Sequence, residues 1–194
     1  MNRSPAFGAI RELRSLVPDR PLTQREAMQL AELQADRLLR LQGVQAPPVP
    51  TSVISDLPRV RIETRSIPVS GSAHWNGGHW VLRARLADHP RRRRYTIAHE
   101  FAHVLQHPKL QVIFSAFPDR TRGAIVERVA DAFAASLLMP RRMIRAAFAD
   151  GIQDPFELAR LFDVSPGAIR VRLATLGLAE NQQRAVARSR GGAR

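Results

Sequence analysis

Residues Tyr95 to Gln106 read Tyr-Thr-Ile-Ala-His-Glu-Phe-Ala-His-Val-Leu-Gln, and their apolar side chains recur at the spacing of one helical face. The stretch contains His99 and His103, which are four residues apart. Four residues advance an α-helix by about 6 Å and slightly more than one turn, so the two imidazoles lie one above the other. The sequence therefore predicts a helix that presents two nitrogen ligands to one divalent metal ion.

Glu100 occupies the position of a general base in this pattern. It lies about 60° around the helix axis from His103, so it flanks the metal position and can accept a proton from water without being a ligand. A His-Glu-x-x-His helix is the signature of metallopeptidases. The alternative is that the five residues occur together by chance, so the motif needs a third ligand to support it.

The third ligand has few candidates, because all six histidines lie between His74 and His107 and the chain has no cysteine. The best carboxylate is Glu127, which forms an i,i+4 pair with Asp131 on one face of the next apolar segment. Glu127 would bind the metal, and Asp131 would accept the free ring N–H of a ligating histidine. His74 and His79 remain minor ligand candidates.

Other titratable residues near the motif have weaker support. His107 continues the histidine row, but it is about 12 Å of helix rise from His99, so we interpret it as a helix-end or supporting residue. Stabilisation of a tetrahedral oxyanion could come from His74, His79, Tyr95 or backbone N–H groups, and the sequence does not choose among them. For Tyr95, packing is the interpretation we favour.

Composition limits the class of protein. A chain of 194 residues with 44% hydrophobic residues can bury one core with a small appended module. The absence of cysteine excludes disulfides, thiolate ligands and a cysteine nucleophile. No apolar stretch approaches the roughly 18 residues of a membrane span, and the amino terminus lacks a signal-peptide core. We therefore expect a cytoplasmic protein without a membrane partner.

The chain is strongly basic, with a net charge of +13. Lys109 is the only lysine among its 30 basic residues, and such an arginine bias can reflect genome composition. The runs Arg91–Arg94 and Arg184–Arg194 could attract nucleic acid or an acidic protein surface. We favour solvated surface charge, because a charge run alone does not define a site.

The order of predicted elements indicates an α+β protein with strands before most of its helices. Ser4 and Pro5 predict the start of a short helix, and Thr23 with Glu26 predicts a capping box for a second helix that stops at Gly43. A proline-rich connector follows. The remaining segments are β-prone at 60–69, 73–75 and 79–85, and helical at 95–106, 125–139, 142–149 and 156–178. The strands predict a small, twisted, mainly antiparallel sheet.

The last helical pair resembles a helix-turn-helix, with Asp163 at the turn and Ser165 as the N-cap of the second helix. Arg170 and Arg172 could face DNA. The apolar residues of the second helix would equally explain it as an amphipathic brace against the rest of the protein. We favour the brace, because no base-reading Asn or Gln cluster accompanies the arginines.

Residues 94–107 and 127–140 together resemble the ImmA/IrrE family of metallo-endopeptidases. The first stretch reads Arg-Tyr-Thr-Ile-Ala-His-Glu-Phe-Ala-His-Val-Leu-Gln-His, and the second reads Glu-Arg-Val-Ala-Asp-Ala-Phe-Ala-Ala-Ser-Leu-Leu-Met-Pro. The Pro-Pro-Val-Pro segment at 47–50, the Ser-Gly turn at 70–71 and residues 158–178 also resemble that family, so the resemblance covers most of the chain.

The resemblance implies that His99, His103 and Glu127 bind zinc, or manganese in its place, and that Glu100 is the base. It implies a zincin-like core at residues 47–150, followed by a helix-turn-helix-like segment at 151–180. The local helix signals predict N-terminal helices at 1–46, and the composition of 181–194 predicts a basic, disordered tail. The implied substrate is a helix-turn-helix repressor cleaved during stress or mobile-element induction. The rival function is a basic DNA-binding regulatory module with a structural metal and no hydrolysis.

Overall fold

The structure is a computed structural model that describes residues 8–179. Its helices are α1 (Ala9–Ser15), α2 (Gln24–Leu41), α3 (Ser52–Ser55), α4 (Pro90–Gln106), α5 (Leu110–Ile113), α6 (Asp119–Leu138), α7 (Arg141–Ala149), α8 (Pro155–Leu161) and α9 (Pro166–Thr175). Its strands are β1 (Val60–Arg65), β2 (Gly71–Trp75) and β3 (Trp80–Arg85). The predicted α+β class is confirmed. No helix in the described part of the chain combines the length and apolar character needed to cross a bilayer.

The N-terminal helices follow their local signals. The Thr23 hydroxyl accepts a hydrogen bond from the Glu26 backbone N–H at 3.2 Å, and the Glu26 carboxylate accepts one from the Thr23 backbone N–H at 2.8 Å. This reciprocal capping box starts α2, and Gly43 follows its end with a φ of +65°, where glycine is least strained. The leading helix begins at Ala9, and its predicted cap at residues 4–5 lies outside the described residues, as does the tail at 181–194.

The sheet is mixed, so the expectation of a mainly antiparallel sheet is wrong for one of its two strand pairings. The strand order is β1-β3-β2, with β2 antiparallel to β3 and β1 parallel to β3. The tight turn at 76–79 makes β2 and β3 a hairpin, as its glycines predict. β1 instead pairs with the far edge of β3, and this leaves β2 at the outer edge of the sheet.

The elements form successive layers, with α4 lying between the sheet and α6, and α2 covering the other side of α6. Leu82 and Ala84 of β3 are buried in the same core as Phe101 of α4. Phe101 in turn meets Phe133 of α6 at a ring-centroid distance of 6.0 Å. The histidine helix is therefore held on two sides, which fixes the direction in which its polar face points.

The turn between α8 and α9 is attached to the N-terminal half of α4. Asp163 adopts a φ of +49° at this turn, and its carboxylate accepts a hydrogen bond from Arg91 Nε at 3.0 Å. Arg94 also donates to Asp163 and, through its other terminal nitrogen, to the carbonyl of Val49. The helix pair is thus joined to the helix that carries the histidines.

The structure places Arg172 inside the protein, so the less favoured alternative that its guanidinium faces DNA is wrong. Arg172 is 3% exposed, and its Nε donates to the carbonyl of Met139 while Nη1 donates to Glu32. Ile169 and Leu173 are buried beside it, as the brace interpretation of α9 expects. Arg170 is exposed and lies over the ring of Phe156 at 5.1 Å, so its contact with DNA stays a prediction.

Candidate metal centre

The two histidines of α4 meet at their Nε2 atoms. His99 and His103 lie one turn apart, their ring centroids are 4.9 Å apart, and the two Nε2 atoms are separated by 3.1 Å. Both side chains are mostly shielded, with exposures of 17% and 24%. The packing of α4 against the sheet and α6 therefore directs both nitrogens towards one point at the surface of the core.

Glu127 of α6 brings its carboxylate to the same point. Its Oε2 lies 3.1 Å from His99 Nε2, and its Oε1 lies 3.5 Å from His103 Nε2. One donor atom from each of the three residues lies within 4.8 Å of the others. Tetrahedral zinc, with bonds of about 2.0–2.2 Å, separates its donor atoms by about 3.3 Å. The three residues therefore fit the spacing that a zinc ion requires.

Asp131, one turn after Glu127, fixes the tautomer of His99. Its Oδ1 lies 2.9 Å from His99 Nδ1, and because a carboxylate only accepts, the proton must be on Nδ1. In the neutral ring, Nε2 then carries a lone pair, which faces the lone pairs of the Glu127 carboxylate. A cation between these atoms would be bound by the lone pairs of both groups and would remove their repulsion, so the donor chemistry also fits a metal.

The protonation of the two rings is set by opposing influences. Burial lowers the pKa of His99, but the hydrogen bond that its ring donates to Asp131 and the charges of Asp131, Glu127 and Glu100 outweigh it and raise the pKa overall. Burial, followed by the charge of His99, lowers the pKa of His103. The two rings therefore differ, because the environment favours the protonated form of His99 and the neutral form of His103.

Glu100 lies beside the metal position without joining it. Burial raises the pKa of its carboxyl group, and the negative charge of Glu127 adds to the rise, while His99 opposes it. Within residues 8–179 its carboxylate makes no hydrogen bond or ion pair, so it is available to a water molecule in the cleft. Gly71 of β2 comes so close that an added Cβ would lie 2.7 Å from Glu100 Oε1 and 2.3 Å from Thr96 Cγ2.

The candidate metal centre lies in a cleft of about 710 Å³. The polar faces of α4 and α6 form its floor, and the start of β2 at residues 70–71 forms one wall. Residues from the turn before α9 and from its N-terminal half, between 164 and 171, form the opposite wall. The cleft therefore opens Glu100, His99 and Glu127 to the surface.

The other sequence candidates lie elsewhere or have a structural contact. Tyr95 lines the cleft, but its hydroxyl donates to the backbone carbonyl of Asp131 at 3.1 Å, and burial raises its pKa. His79 is bonded to Asn76 in the hairpin turn at 3.0 Å. His74 alternates with Gly71 along β2 and so points to the other sheet face. His107 packs edge-on against Trp80.

Sequence reasoning missed several cleft residues. Ala135 and Met139 line the cleft because they continue the i,i+4 row that begins with Glu127 and Asp131, and this spacing could have identified them. The α9 wall had no such signal, because only the fold brings residues 164–171 next to α4. Gly71 had a partial signal as part of the Ser-Gly turn.

Comparison with known proteins is consistent with this arrangement. None of the curated proteins compared with the chain matches it. A solved structure of a Mycobacterium tuberculosis transcriptional regulator is similar, with a TM-score of 0.62 and 22% sequence identity. The alignment covers 86% of this chain and 51% of that one, so the protein spans about half the length of the regulator and shares its fold. The family model of the IrrE N-terminal-like domain, peptidase M78, matches residues 60–174. Since this match covers more than half of the chain and spans both α4 and α6, the protein belongs to the IrrE N-terminal-like family of M78 peptidases.

Proposed function

We propose that the protein is a zinc-dependent endopeptidase in which His99, His103 and Glu127 bind the metal and Glu100 is the general base. The observation that carries the proposal is the convergence of two imidazole nitrogens and the Glu127 carboxylate at 3.1–3.5 Å. Beside them lies the Glu100 carboxylate, which makes no hydrogen bond within residues 8–179. Manganese is a second candidate metal, because it also accepts imidazole and carboxylate ligands.

The chemistry divides among the residues of the cleft. A zinc ion held by three protein ligands would polarise the peptide carbonyl and lower the pKa of water at its open position to about 7. Glu100 would accept the proton of the attacking water and return it to the departing amine. Burial favours this exchange, because the raised pKa of Glu100 brings it closer to neutral pH. Asp131 would hold the His99 ring in its ligating orientation.

The substrate that we propose is a protein, and specifically a helix-turn-helix transcriptional repressor, as the family resemblance implies. The cleft favours an extended segment over a folded surface. β2 is at the outer edge of the sheet and begins at the wall beside Glu100, so its free backbone groups could pair with an extended peptide. Within the chain, residues 47–150 would carry the catalysis, and the helix pair at 151–180 would support it.

Substitution at the base and at the carboxylate ligand separates the two roles. Glu100→Gln should keep the fold and the bound zinc but lower the cleavage rate by about 10²–10⁴-fold, because the amide cannot accept the proton. Glu127→Ala should instead lower the zinc content. Glu157→Gln, on the exposed start of α8, is the matched control and should behave as the unaltered protein.

The measurement is cleavage of a purified repressor from a neighbouring gene, followed with zinc, with manganese and with a chelator, alongside the metal content of each variant. Cleavage that needs the metal and is lost in Glu100→Gln supports the proposal. Undiminished cleavage by Glu100→Gln would reject the assigned base. A salt-sensitive DNA complex without cleavage would favour the DNA-binding module instead.

A further inference from the structure

The wall of the cleft formed by the α8–α9 turn and α9 carries Val164, Ala168 and Val171 beside Ser165 and Gly167. Ala168 and Val171 are three residues apart in α9, so they lie on one helical face, and Val164 lies in the turn before the helix. Ala135 and Met139 of α6 line it as well. Val164 and Met139 are buried beneath the cleft surface, and Ala135 and Ala168 are half-buried. Val171 is 68% exposed, although it is a large hydrophobic residue in a regular helix.

This apolar region, defined by Val164, Ala168, Val171, Ala135 and Met139, is continuous with the metal centre. The row Glu127, Asp131, Ala135 runs along α6, so Ala135 lies about 12 Å from Glu127 at the helical rise of 1.5 Å per residue. An extended peptide advances about 3.3 Å per residue. The apolar region therefore lies about three to four residues from the peptide bond that would be cleaved.

The wall is held in place by ion pairs at its turn and by a buried arginine in α9. Asp163, at the turn before α9, binds both Arg91 and Arg94 of α4, and the Arg94 side chain is only 15% exposed. Arg172 fixes the other side of α9 to the carbonyl of Met139 at 3.1 Å. These contacts hold the apolar face of α9 against the cleft. That face is therefore not a surface for reading DNA.

We infer that α9 supplies a specificity subsite that accepts an apolar side chain of the peptide substrate, three to four residues from the cleaved bond. This inference rests on the proposed peptidase function. An apolar occupant is favoured because the carboxylates of the cleft belong to the metal centre, whereas α9 lines the cleft with the accessible aliphatic side chains of Val171 and Ala168. Covering them with an apolar side chain removes apolar surface from water.

Charge substitutions at Val171 test the subsite. The zinc-loaded protein is incubated with a randomised decapeptide library, and the cleavage sites are identified by mass spectrometry. The unaltered protein should prefer Leu, Ile, Val, Met or Phe at one position three or four residues from the cut. Val171→Asp should reduce that preference about tenfold and favour Lys or Arg there, and Val171→Lys should favour Asp or Glu. Ala146→Asp, exposed on α7 and outside the cleft, should keep the original preference.

Binding separates failure of the subsite from failure of the peptidase. Two peptides that differ only by Leu or Asp at the selected position are bound to the zinc-loaded Glu100→Gln variant, with and without Val171→Asp, and followed by fluorescence polarisation. If the library gives no cleavage sites, the two peptides carry Leu or Asp three or four residues from the middle of the peptide. Tighter binding of the Leu peptide that disappears with Val171→Asp supports the subsite, even if no peptide is cleaved and the peptidase proposal fails. Equal binding of both peptides, or an unchanged cleavage preference in Val171→Asp, would overturn it.

Discussion

Two carboxylates one turn apart on α6 have different surroundings, and this difference assigns their roles. Glu127 faces both His99 and His103, whereas Asp131 contacts only the ring nitrogen of His99 that points away from the metal position. The side chain of aspartate is one methylene shorter than that of glutamate, and Asp131 Oδ1 lies 2.9 Å from His99 Nδ1, on the side of the ring away from the metal position. The i,i+4 spacing thus places the proposed ligand Glu127 and its proposed supporting residue Asp131 on one helical face.

Gly71→Ala tests the close approach between β2 and Glu100. The added methyl carbon would lie 2.3 Å from Thr96 Cγ2 and 3.0 Å from the backbone carbonyl oxygen of Arg83, so β2 must shift. We expect a loss of about 1–3 kcal/mol in the free energy of unfolding and a lower cleavage rate, because Glu100 is displaced. Thermal unfolding and cleavage assays measure the two effects.

Gly123→Ala is the matched control, since an added Cβ at Gly123 meets nothing within 4 Å in α6. That substitution should leave the cleavage rate unchanged and stabilise the helix by about 0.5–1 kcal/mol. If Gly71→Ala behaved in the same way, the close approach would not position Glu100.

At the scale of elements, the helix pair α8–α9 depends on a single acidic residue at its turn. Asp163 combines a left-handed backbone conformation, which Asn also tolerates, with the ion pairs to Arg91 and Arg94. One residue therefore sets both the direction of the chain into α9 and its attachment to α4. The wall of the cleft is consequently coupled to the helix that carries the histidines.

Asp163→Asn removes the charge and keeps the backbone conformation. We expect a loss of about 1–2 kcal/mol in the free energy of unfolding, less than for a fully buried pair because Asp163 is 43% exposed. The wall should loosen, so KM for a peptide substrate should rise more than kcat falls, while the zinc content stays unchanged. Steady-state kinetics and metal analysis give these quantities.

Asp150→Asn, just after α7, is the control, because within residues 8–179 the Asp150 carboxylate has no hydrogen bond or ion pair. Equal stability and equal KM in the two variants would show that the ion pairs at the turn do not hold α9 in place.

At the scale of the whole molecule, the site depends on the layered order of sheet, α4, α6 and α2. α6 carries Glu127 and Asp131 on one side and packs along α2 on the other. The small side chains Ala27, Ala31 and Ala35 of α2 are buried at i,i+4 spacing, which allows the two helices to approach closely. The stability of α2 therefore contributes to the stability of α6, which carries the proposed metal ligand Glu127.

Glu26→Gln should change how stability depends on pH. Hydrogen bonds from Arg20, and then from Thr23, lower the pKa of Glu26 from 4.5 to about 2 in the folded protein. Because the folded pKa is depressed, the ionised carboxylate stabilises the protein above pH 4.5, and this contribution is lost as the pH falls from about 4.5 to about 2. Thermal unfolding across this range should therefore show a melting-temperature difference between the two proteins that is constant above pH 5 and shrinks in acid. A difference that stayed constant from neutral pH to pH 2 would contradict this assignment.

The sequence by itself determined the features that depend on neighbours along the chain. The 3.6-residue period aligns His99 with His103 and Glu127 with Asp131, and the side chains of Thr23 and Glu26 cap the helix that they begin. The residues in each of these pairs are at most four positions apart in the sequence, so the local backbone geometry is enough to predict their relation.

Tertiary structure alone decided the features that join distant segments. The parallel pairing of β1 with β3, the burial of Arg172 and the apolar wall from α9 each bring together residues 20 or more positions apart. The physical reason is that such contacts depend on how all the layers pack at once. An arginine on an amphipathic helix has the same local sequence whether it faces DNA or, as Arg172 does, a carbonyl in the core.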